Sequence, residues 1–284
     1  MLNIVQFELD GSLLMIKTTA GFGESVTKIF SVIGLYKNFY MWFIDRFHIL
    51  PRKRIYYKLN NGTKFILETN TLDCQFINEM FIDHQYTRLS GFEISPTDVV
   101  IDFGAHKGIF TVFAAQQTYS GRVISYEPSP NTYNFLLENI KLNNLKNVTA
   151  INSAVGLSDG KKSFYVGEDP GCHMVVSEHP PKNVDANDVI SVDESCFDRI
   201  IEELDRVDFV KMDVEGVEFE ILVNCSKSSL NKIKRIALEY HPESGSVDSL
   251  VEHLEKVGFK TSLWKERRLL YAWRELTQAA SHQD

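Results

Sequence analysis

Two acidic residues and a glycine-rich turn form the most specific chemical pattern in this sequence. Asp102 ends the apolar run DVVID, and Gly104 and Gly108 follow it within six residues. Glu127 ends the next apolar run, GRVISYE, 25 positions after Asp102. Such runs predict neighbouring parallel strands, and in an open parallel sheet ligands bind beyond the carboxyl ends of the strands. The pattern therefore predicts a ligand site that the backbone of the glycine turn approaches closely.

The carboxylate before the first glycine restricts the chemistry of that ligand. The dinucleotide-binding fingerprint has three glycines, and its backbone N–H groups hold a pyrophosphate, whereas a carboxylate at Asp102 would repel phosphate. The site instead suits a ligand with a cationic end and a ribose, whose hydroxyls would donate to Glu127. S-adenosyl-L-methionine combines these groups. The structural alternatives are that Asp102 caps the following helix and that Glu127 is a solvated strand end.

The elements that must position these residues follow from the periodicity of the sequence. From residue 98 onward, buried strand patterns alternate with amphipathic helix patterns, which predicts a mainly parallel sheet with helices on both faces. Ser129 and Pro130 are predicted to open the helix after Glu127, and Gly258 to close the last helix. Before residue 98, a helix, a hairpin turning at NNG and a second helix are predicted. The predicted strands lie in DVVIDF, GRVISYE, NVTAINSAV, RVDFVKMDVEG, KRIALEYH and, as a final antiparallel pair, FKTSLWKERRLLYAWRE.

Several segments together resemble the FkbM-type class I methyltransferases. These segments are VVIDFGAHKGIFTVFAA, VISYEPSPNTYNFLLENIKLN, NVTAINSAVGLSDG, VDFVKMDVEGVEFEIL and IALEYHP, and the similarity runs from about residue 54 to residue 274. The resemblance implies an α/β fold with a doubly wound, mainly parallel seven-stranded Rossmann-like sheet. The sequence pattern places this domain at residues 96–276, after a helix and hairpin extension over residues 1–95. The resemblance further implies S-adenosyl-L-methionine as the cofactor and O-methylation of an acceptor, often at a sugar hydroxyl of a glycan, lipid or secondary metabolite.

The resemblance also implies roles for individual residues around the cofactor. The methionine end would lie against Asp102, Gly104, Ala105 and Gly108, the ribose against Glu127, and the adenine near Ser153 and Ala154. His106 in the glycine turn is expected either to contact the cofactor or the acceptor, or only to shape the loop.

Methyl transfer to a hydroxyl group requires alignment of the reacting atoms and removal of a proton. Asp213, Glu215 and His241 follow the fourth and fifth predicted strands at the cofactor edge. We expect Asp213 and Glu215 to line the acceptor pocket, with His241 as an alternative base. The structural alternatives are that Glu215 offsets a helix dipole, that Glu218 pairs with Lys211, and that His241 only belongs to a turn. No metal site is expected, although the two carboxylates have the oxygen chemistry that Mg²⁺ prefers.

Composition narrows the classes of partner. The 284 residues carry a formal net charge of −8, which repels nucleic-acid backbones, so a small-molecule or glycan acceptor is expected rather than nucleic acid. Two other functional classes stay open: an RNA or protein methyltransferase on the same fold, and a non-catalytic nucleotide-binding or partner-binding module. A dehydrogenase fits least, because Asp102 stands where a phosphate would bind. The scattered cysteines lack metal-ligand spacing and indicate reduced thiols.

The region around residues 30–51 predicts one helix with a wide aromatic face. That face is expected to pack on the main domain, or else to contact a membrane or a partner chain. Charged residues interrupt the apolar run, so no transmembrane helix is predicted. Together with an N-terminus that lacks a secretory pattern, this indicates a cytoplasmic location, peripheral to a membrane if the aromatic face is a docking surface.

Residues 157–207 form a long insert between the third and fourth predicted strands. The insert is predicted to contain a hairpin turning at EDPG and then a mobile loop, with a segment that covers the active site. His173 and His179 within it are expected to face solvent. The sequence does not indicate an oligomeric state.

Overall fold

Strands and helices alternate along most of the chain. The computed structural model describes residues 3–9, 12–18, 30–165, 174–175 and 189–274. The strands are β1 (Asn3–Leu9), β2 (Ser12–Thr18), β3 (Arg54–Lys58), β4 (Lys64–Glu68), β5 (Val99–Phe103), β6 (Arg122–Tyr126), β7 (Val148–Ile151), β8 (Ala154–Gly156), β9 (Gly160–Tyr165), β10 (Met174–Val175), β11 (Val189–Cys196), β12 (Phe209–Met212), β13 (Arg235–Glu239), β14 (Lys260–Trp264) and β15 (Leu269–Trp273). The helices are α1 (Phe39–Arg46), α2 (Asp73–Phe81), α3 (Ile109–Gln117), α4 (Pro130–Leu142), α5 (Phe197–Glu202), α6 (Glu218–Asn224), α7 (Lys227–Lys232) and α8 (Val247–Lys256).

The central element is a seven-stranded sheet with the order β14-β15-β13-β12-β5-β6-β7. Neighbouring strands are parallel except that β15 runs antiparallel to both β13 and β14. The strand order reverses between β5 and β12, and such a reversal opens a ligand-binding crevice at the carboxyl ends of the strands. The predicted doubly wound, mainly parallel seven-stranded sheet and its antiparallel end are therefore confirmed.

The sheet divides the hydrophobic core into two layers, because successive side chains of a strand point to opposite faces. On one face, Val100 and Phe209 pack with α3 and with the elements before residue 95. On the other face, Ile101 and Val210 pack with helices α5 to α8. The N-terminal elements thus share a core with the sheet, and the predicted boundary at residue 95 stays a prediction.

The predicted helix start at Ser129 and helix end at Gly258 are confirmed. The Ser129 hydroxyl accepts from the Thr132 backbone N–H, and Pro130 is the first residue of α4. Gly258 follows α8 with φ +96°, where glycine avoids the steric cost of a side chain. On α4 the apolar Leu137 is exposed, whereas the polar Asn139 is buried. Asn139 faces inward because its amide bonds the backbone of the neighbouring strand β4.

The N-terminal hairpin β3–β4 is confirmed, but the prediction of one helix over residues 30–51 is wrong. Helical residues 30–35 and α1 are separate, because Tyr36 bridges Leu59 and the Asn38 side chain bonds the backbone of β3. The inner side of both segments, including Tyr36 and Trp42, is buried in the core as one alternative predicted. Among the described residues, no helix has the length and hydropathy that a membrane crossing requires.

The insert after β7 contains a second sheet, with the order β10-β9-β11-β8. Strands β9 and β10 pair antiparallel, as the predicted hairpin requires. The predicted turn at EDPG and the loop after it lie outside the described residues, as do His173 and His179. The thiols of Cys74, Cys196 and Cys225 are free.

Candidate active site

A cavity of about 550 Å³ opens at the carboxyl ends of β5, β6, β12 and β13. Its volume is within the range of small-molecule sites. The predicted site residues that line the cavity are Gly104, Ala105, His106, Glu127, Ser153, Ala154, Asp213, Glu215 and His241. The fold therefore brings nine of the predicted residues to one space, although they are spread over about half of the chain.

The turn after β5 brings the backbone close to its neighbours. Gly104 has φ +75°, and a Cβ atom there would lie 1.8 Å from the carbonyl oxygen of Asp213. Gly108 has φ +85°, and a Cβ atom there would lie 2.6 Å from Leu136. Both positions have a left-handed backbone that favours glycine. At Gly104 a side chain would also clash with backbone, whereas at Gly108 it would meet the end of the Leu136 side chain. Gly108 begins α3 behind the turn and does not line the cavity, in contrast to the implied role at the methionine end.

The placement of Asp102 also differs from that implied role. Asp102 is fully buried below the turn, where its carboxylate accepts from the Thr111 hydroxyl at 2.6 Å and faces Lys211 Nζ at 3.4 Å. Burial raises the pKa of Asp102, against the opposing charge of Lys211. Asp102 is not among the residues that line the cavity, and its contacts with Thr111 and Lys211 place it in the support of the turn.

Glu127 lies directly after β6 and is 5% exposed. Its two oxygens each accept one backbone N–H, from His106 at 2.8 Å and from Ser129 at 2.8 Å. Burial raises the pKa of Glu127 to about 7, although both hydrogen bonds oppose that rise. The carboxylate is thus fixed in orientation and keeps lone pairs for a hydroxyl donor.

Ser153 and Ala154 form the adjoining part of the wall, where β7 leads into β8. The Ser153 hydroxyl contacts the carbonyl of Asp193 at 3.0 Å and the Ser195 hydroxyl at 2.9 Å. This side chain is therefore engaged within the protein. Phe164 of the insert lines the cavity nearby and gives this part of the wall an apolar surface.

Asp213 lies directly after β12, opposite the glycine turn. Its carboxylate accepts from the Tyr86 hydroxyl at 3.3 Å and lies 3.7 Å from Lys211 Nζ. Burial alone would lower the pKa of Lys211, but the charges of Asp102 and Asp213 outweigh it and raise that pKa. Lys211 therefore remains a cation between the two carboxylates.

Glu215 and His241 form an ion pair next to Asp213. His241 Nε2 lies 3.3 Å from Glu215, and Nδ1 lies 3.0 Å from the fully buried Glu218. Burial alone would lower the pKa of His241, but these two hydrogen bonds outweigh it and raise the pKa to about 11. Both ring nitrogens thus face carboxylates, which favours the imidazolium form, and that form has no lone pair to accept a proton. Glu218 contacts His241 instead of the predicted Lys211.

The same residues are the one group within the described ranges that could surround a metal ion. One ligand atom each from Asp213, Glu215 and His241 lie within 4.8 Å of one another. With no ion between them, His241 Nε2 instead contacts the Glu215 carboxylate at 3.3 Å. The Glu215 backbone has φ +52°, and Glu215 lies in the turn before α6 instead of opening that helix.

Sequence reasoning missed several residues of the wall. Glu239 ends β13 and lines the cavity, where burial and then the charge of Asp213 raise its pKa to about 8. A carboxylate at the end of a strand, as at Glu127, was the available signal. Residues 72–86 also contribute to the wall, including Phe76, Glu79 and Tyr86. No motif marked them, because their place in the site depends on packing between distant segments.

The sequence profile of the Methyltransferase FkbM domain matches residues 102–261. Methyltransferase 1 of Beauveria bassiana is 25% identical over 68% of this chain and 83% of its own length. The 31-O-demethyl-FK506 methyltransferase FkbM of Streptomyces tacrolimicus is 24% identical over 79% of this chain and 95% of its own length. The AMB antimetabolite synthetase AmbE of Pseudomonas aeruginosa is 25% identical over 67% of this chain, but the chain spans only 11% of that protein.

Among solved structures, the chain is similar to methyltransferase FkbM from Methylobacillus flagellatus KT. That match has a TM-score of 0.45 and 18% identity, and covers 66% of this chain and 46% of that chain. The match of the family profile covers more than half of this chain, although it is shorter than the similarity expected over residues 54–274. The chain belongs to the FkbM methyltransferase domain family and is a methyltransferase.

Proposed function

We propose that this methyltransferase transfers a methyl group from S-adenosyl-L-methionine to a hydroxyl group of a sugar or glycan-type acceptor. The fold and the family imply S-adenosyl-L-methionine as the methyl donor. The observation that carries the proposal is that the glycine turn, Glu127 and the carboxylates after β12 and β13 all face one cavity. Donor groups and proton-accepting groups thus share one space.

The residues on the donor side fit S-adenosyl-L-methionine. Gly104 and Ala105 present backbone without bulky side chains, and Glu127 presents a fixed carboxylate that can accept from ribose hydroxyls. When bound, the donor supplies an activated methyl group on a positively charged sulfur. Carboxylates outnumber basic side chains in the wall, so the potential of the cavity favours a cation.

The residues on the acceptor side fit a hydroxyl group that must lose a proton. Because His241 is protonated, it serves to hold Glu215 in place, and the proton acceptor is a carboxylate. Among the carboxylates of the wall, Glu239 combines a position at the end of β13 with a pKa raised to about 8. A base is most effective when its pKa lies near the working pH, and we therefore assign proton removal to Glu239. Asp213 and Glu215 keep the predicted position beside the acceptor.

The proposed acceptor class rests on hydrogen-bonding chemistry. Several carboxylates next to the aromatic rings of Phe76 and Tyr86 suit an acceptor with many hydroxyls and apolar ring faces. The Streptomyces tacrolimicus relative is named for methylation at an oxygen of its acceptor, which supports O-methylation here. The net charge of −8 supports an acceptor other than nucleic acid.

The test is transfer of labelled methyl groups from S-adenosyl-L-methionine to a panel of sugars, glycans, RNA and proteins. The expected product is an alkali-stable methyl ether on a sugar hydroxyl, and Glu239→Gln is expected to form it far more slowly. Transfer of the label to RNA or protein instead would contradict the proposed sugar or glycan acceptor. Donor binding without transfer to any member of the panel would favour a binding module.

A further inference from the structure

A lysine within the glycine turn forms a buried ion pair with an aspartate from an earlier segment of the chain. Lys107 lies within the turn, and its side chain is 1% exposed. Its Nζ atom donates to Asp73 at 2.6 Å and to Glu68 at 2.8 Å. Asp73 is also 1% exposed. Asp73 begins α2 and Glu68 ends β4, so both partners lie in the segment before residue 95.

Further hydrogen bonds connect the same three elements. The carbonyl oxygen of Lys107 accepts from the Asn139 side chain at 2.9 Å. The Asn139 amide also accepts from the Ile66 backbone N–H at 2.7 Å and donates to the Ile66 carbonyl at 3.1 Å. The Asp73 carboxylate accepts from the Glu68 backbone N–H at 2.9 Å. The Lys107 side chain therefore fixes the turn to both β4 and α2, and the Lys107 backbone is also connected to β4 through Asn139 of α4.

Stability alone does not account for a lysine at this position. A buried ion pair is often no more stabilising than apolar side chains of the same volume, because both charges lose their hydration. What the pair does provide is a defined direction and distance. The turn needs such anchors, since Gly104, His106 and Gly108 all have left-handed φ values of 75°, 52° and 85°.

We propose that Lys107 and Asp73 are positioning residues for the methyl donor. The hairpin β3–β4 and α2 would then complete the donor site, although both precede the family match, which begins at residue 102. The inference rests on the proposed function, because it assumes that the turn binds S-adenosyl-L-methionine. The turn and α2 also meet at the cavity wall, where the rings of His106 and Phe76 have centroids 5.5 Å apart.

The test compares Asp73→Asn with Asp98→Asn in the full chain. Asp98 forms an equally short but only partly buried ion pair with Arg235, at 2.6 Å, at the amino ends of β5 and β13. We expect Asp73→Asn to weaken S-adenosyl-L-methionine binding about tenfold, or about 1.4 kcal/mol, in calorimetric titration. Its KM for the donor should rise while kcat at saturating donor stays within about threefold. Asp98→Asn should lose stability but keep the wild-type Kd.

Three results separate the inference from the proposed function. No binding to the wild-type protein contradicts the proposed function. Wild-type binding with an unchanged Kd in Asp73→Asn overturns the inference alone, as does an equal loss in Asp98→Asn, since the effect would then reflect stability only. If Asp73→Asn does not fold, Glu68→Gln removes the more exposed partner of Lys107. It is expected to raise the donor KM in the same direction by about threefold, and an unchanged KM there also overturns the inference.

Discussion

Gly104 and Asp213 approach each other so closely that a Cβ atom on the glycine would lie 1.8 Å from the aspartate carbonyl oxygen. The backbone of the glycine turn after β5 is therefore in direct contact with the backbone of Asp213, which follows β12. This contact fixes the separation of the two halves of the cavity, and it explains why the first glycine of the turn cannot carry a side chain.

We predict that Gly104→Ala separates β5 from β12 at their carboxyl ends. The clash with backbone should lower the free energy of unfolding by about 3 kcal/mol or more and abolish donor binding. Gly62→Ala is the matched control, because Gly62 also has a left-handed φ, +92°, but has open space around it. It should cost only about 1–2 kcal/mol and leave donor binding unchanged. Urea unfolding and calorimetry measure both, and equal effects of the two substitutions would contradict the account.

Donor binding should depend on the ionisation of Glu127. Its pKa in the free protein is raised to about 7, and the ionised form accepts more strongly from ribose hydroxyls. Affinity for S-adenosyl-L-methionine should therefore rise from pH 6 to pH 8 and then level off. Glu127→Gln should bind about tenfold or more weakly, as expected when a hydrogen bond to a charged group is lost, and should lack this rise. A wild-type Kd that is constant over the range would show that Glu127 does not contact the donor.

The pH dependence of the reaction should report Glu239. Because the ionised carboxylate accepts the hydroxyl proton, kcat/KM at saturating donor should rise with pH through about 8. Glu239→Gln should lower kcat by a factor of about 10² to 10⁴ and remove that rise. Glu252→Gln is the control, since Glu252 is exposed on α8 and should behave as wild type. If His241→Gln, and not Glu239→Gln, removes the rise, the assignment of the base is wrong.

Methyl transfer should not require a divalent cation. Both ring nitrogens of His241 contact carboxylates, Nε2 that of Glu215 and Nδ1 that of Glu218, so a metal ion would have to displace a proton and an existing contact to bind this ring. Treatment with a chelator should therefore leave the rate unchanged. A loss of activity that Mg²⁺ or Mn²⁺ restores would instead make Asp213, Glu215 and His241 a metal site.

Much of the fold was predictable, because the determining signals are local. Strand runs, the N-cap at Ser129 and the terminal glycine at Gly258 each specify an element over a few residues. The break between residues 30–35 and α1 was not predictable in this way. Both segments are apolar, and the break depends on contacts of Tyr36 and Asn38 with a hairpin about 20 residues away.

The candidate site was predictable where strand ends carry the chemistry, as at Glu127 and Asp213. It was not predictable where burial and partners decide the role. Asp102 has the right type and spacing for a ligand contact, yet it lies below the turn beside Lys211. His241 has the right type for a base, yet two carboxylates hold it protonated. The residue types alone do not determine the burial of Asp102 or the protonation of His241, because both depend on how distant segments pack.

The most direct test of the central claim is a calorimetric titration of S-adenosyl-L-methionine into the wild-type protein and into Glu127→Ala. We predict one site per chain with micromolar affinity in the wild type, or about −8 kcal/mol. Binding to the variant should be lost or much weaker. Absence of binding to the folded wild-type protein, or equal binding to both proteins, would contradict the central claim.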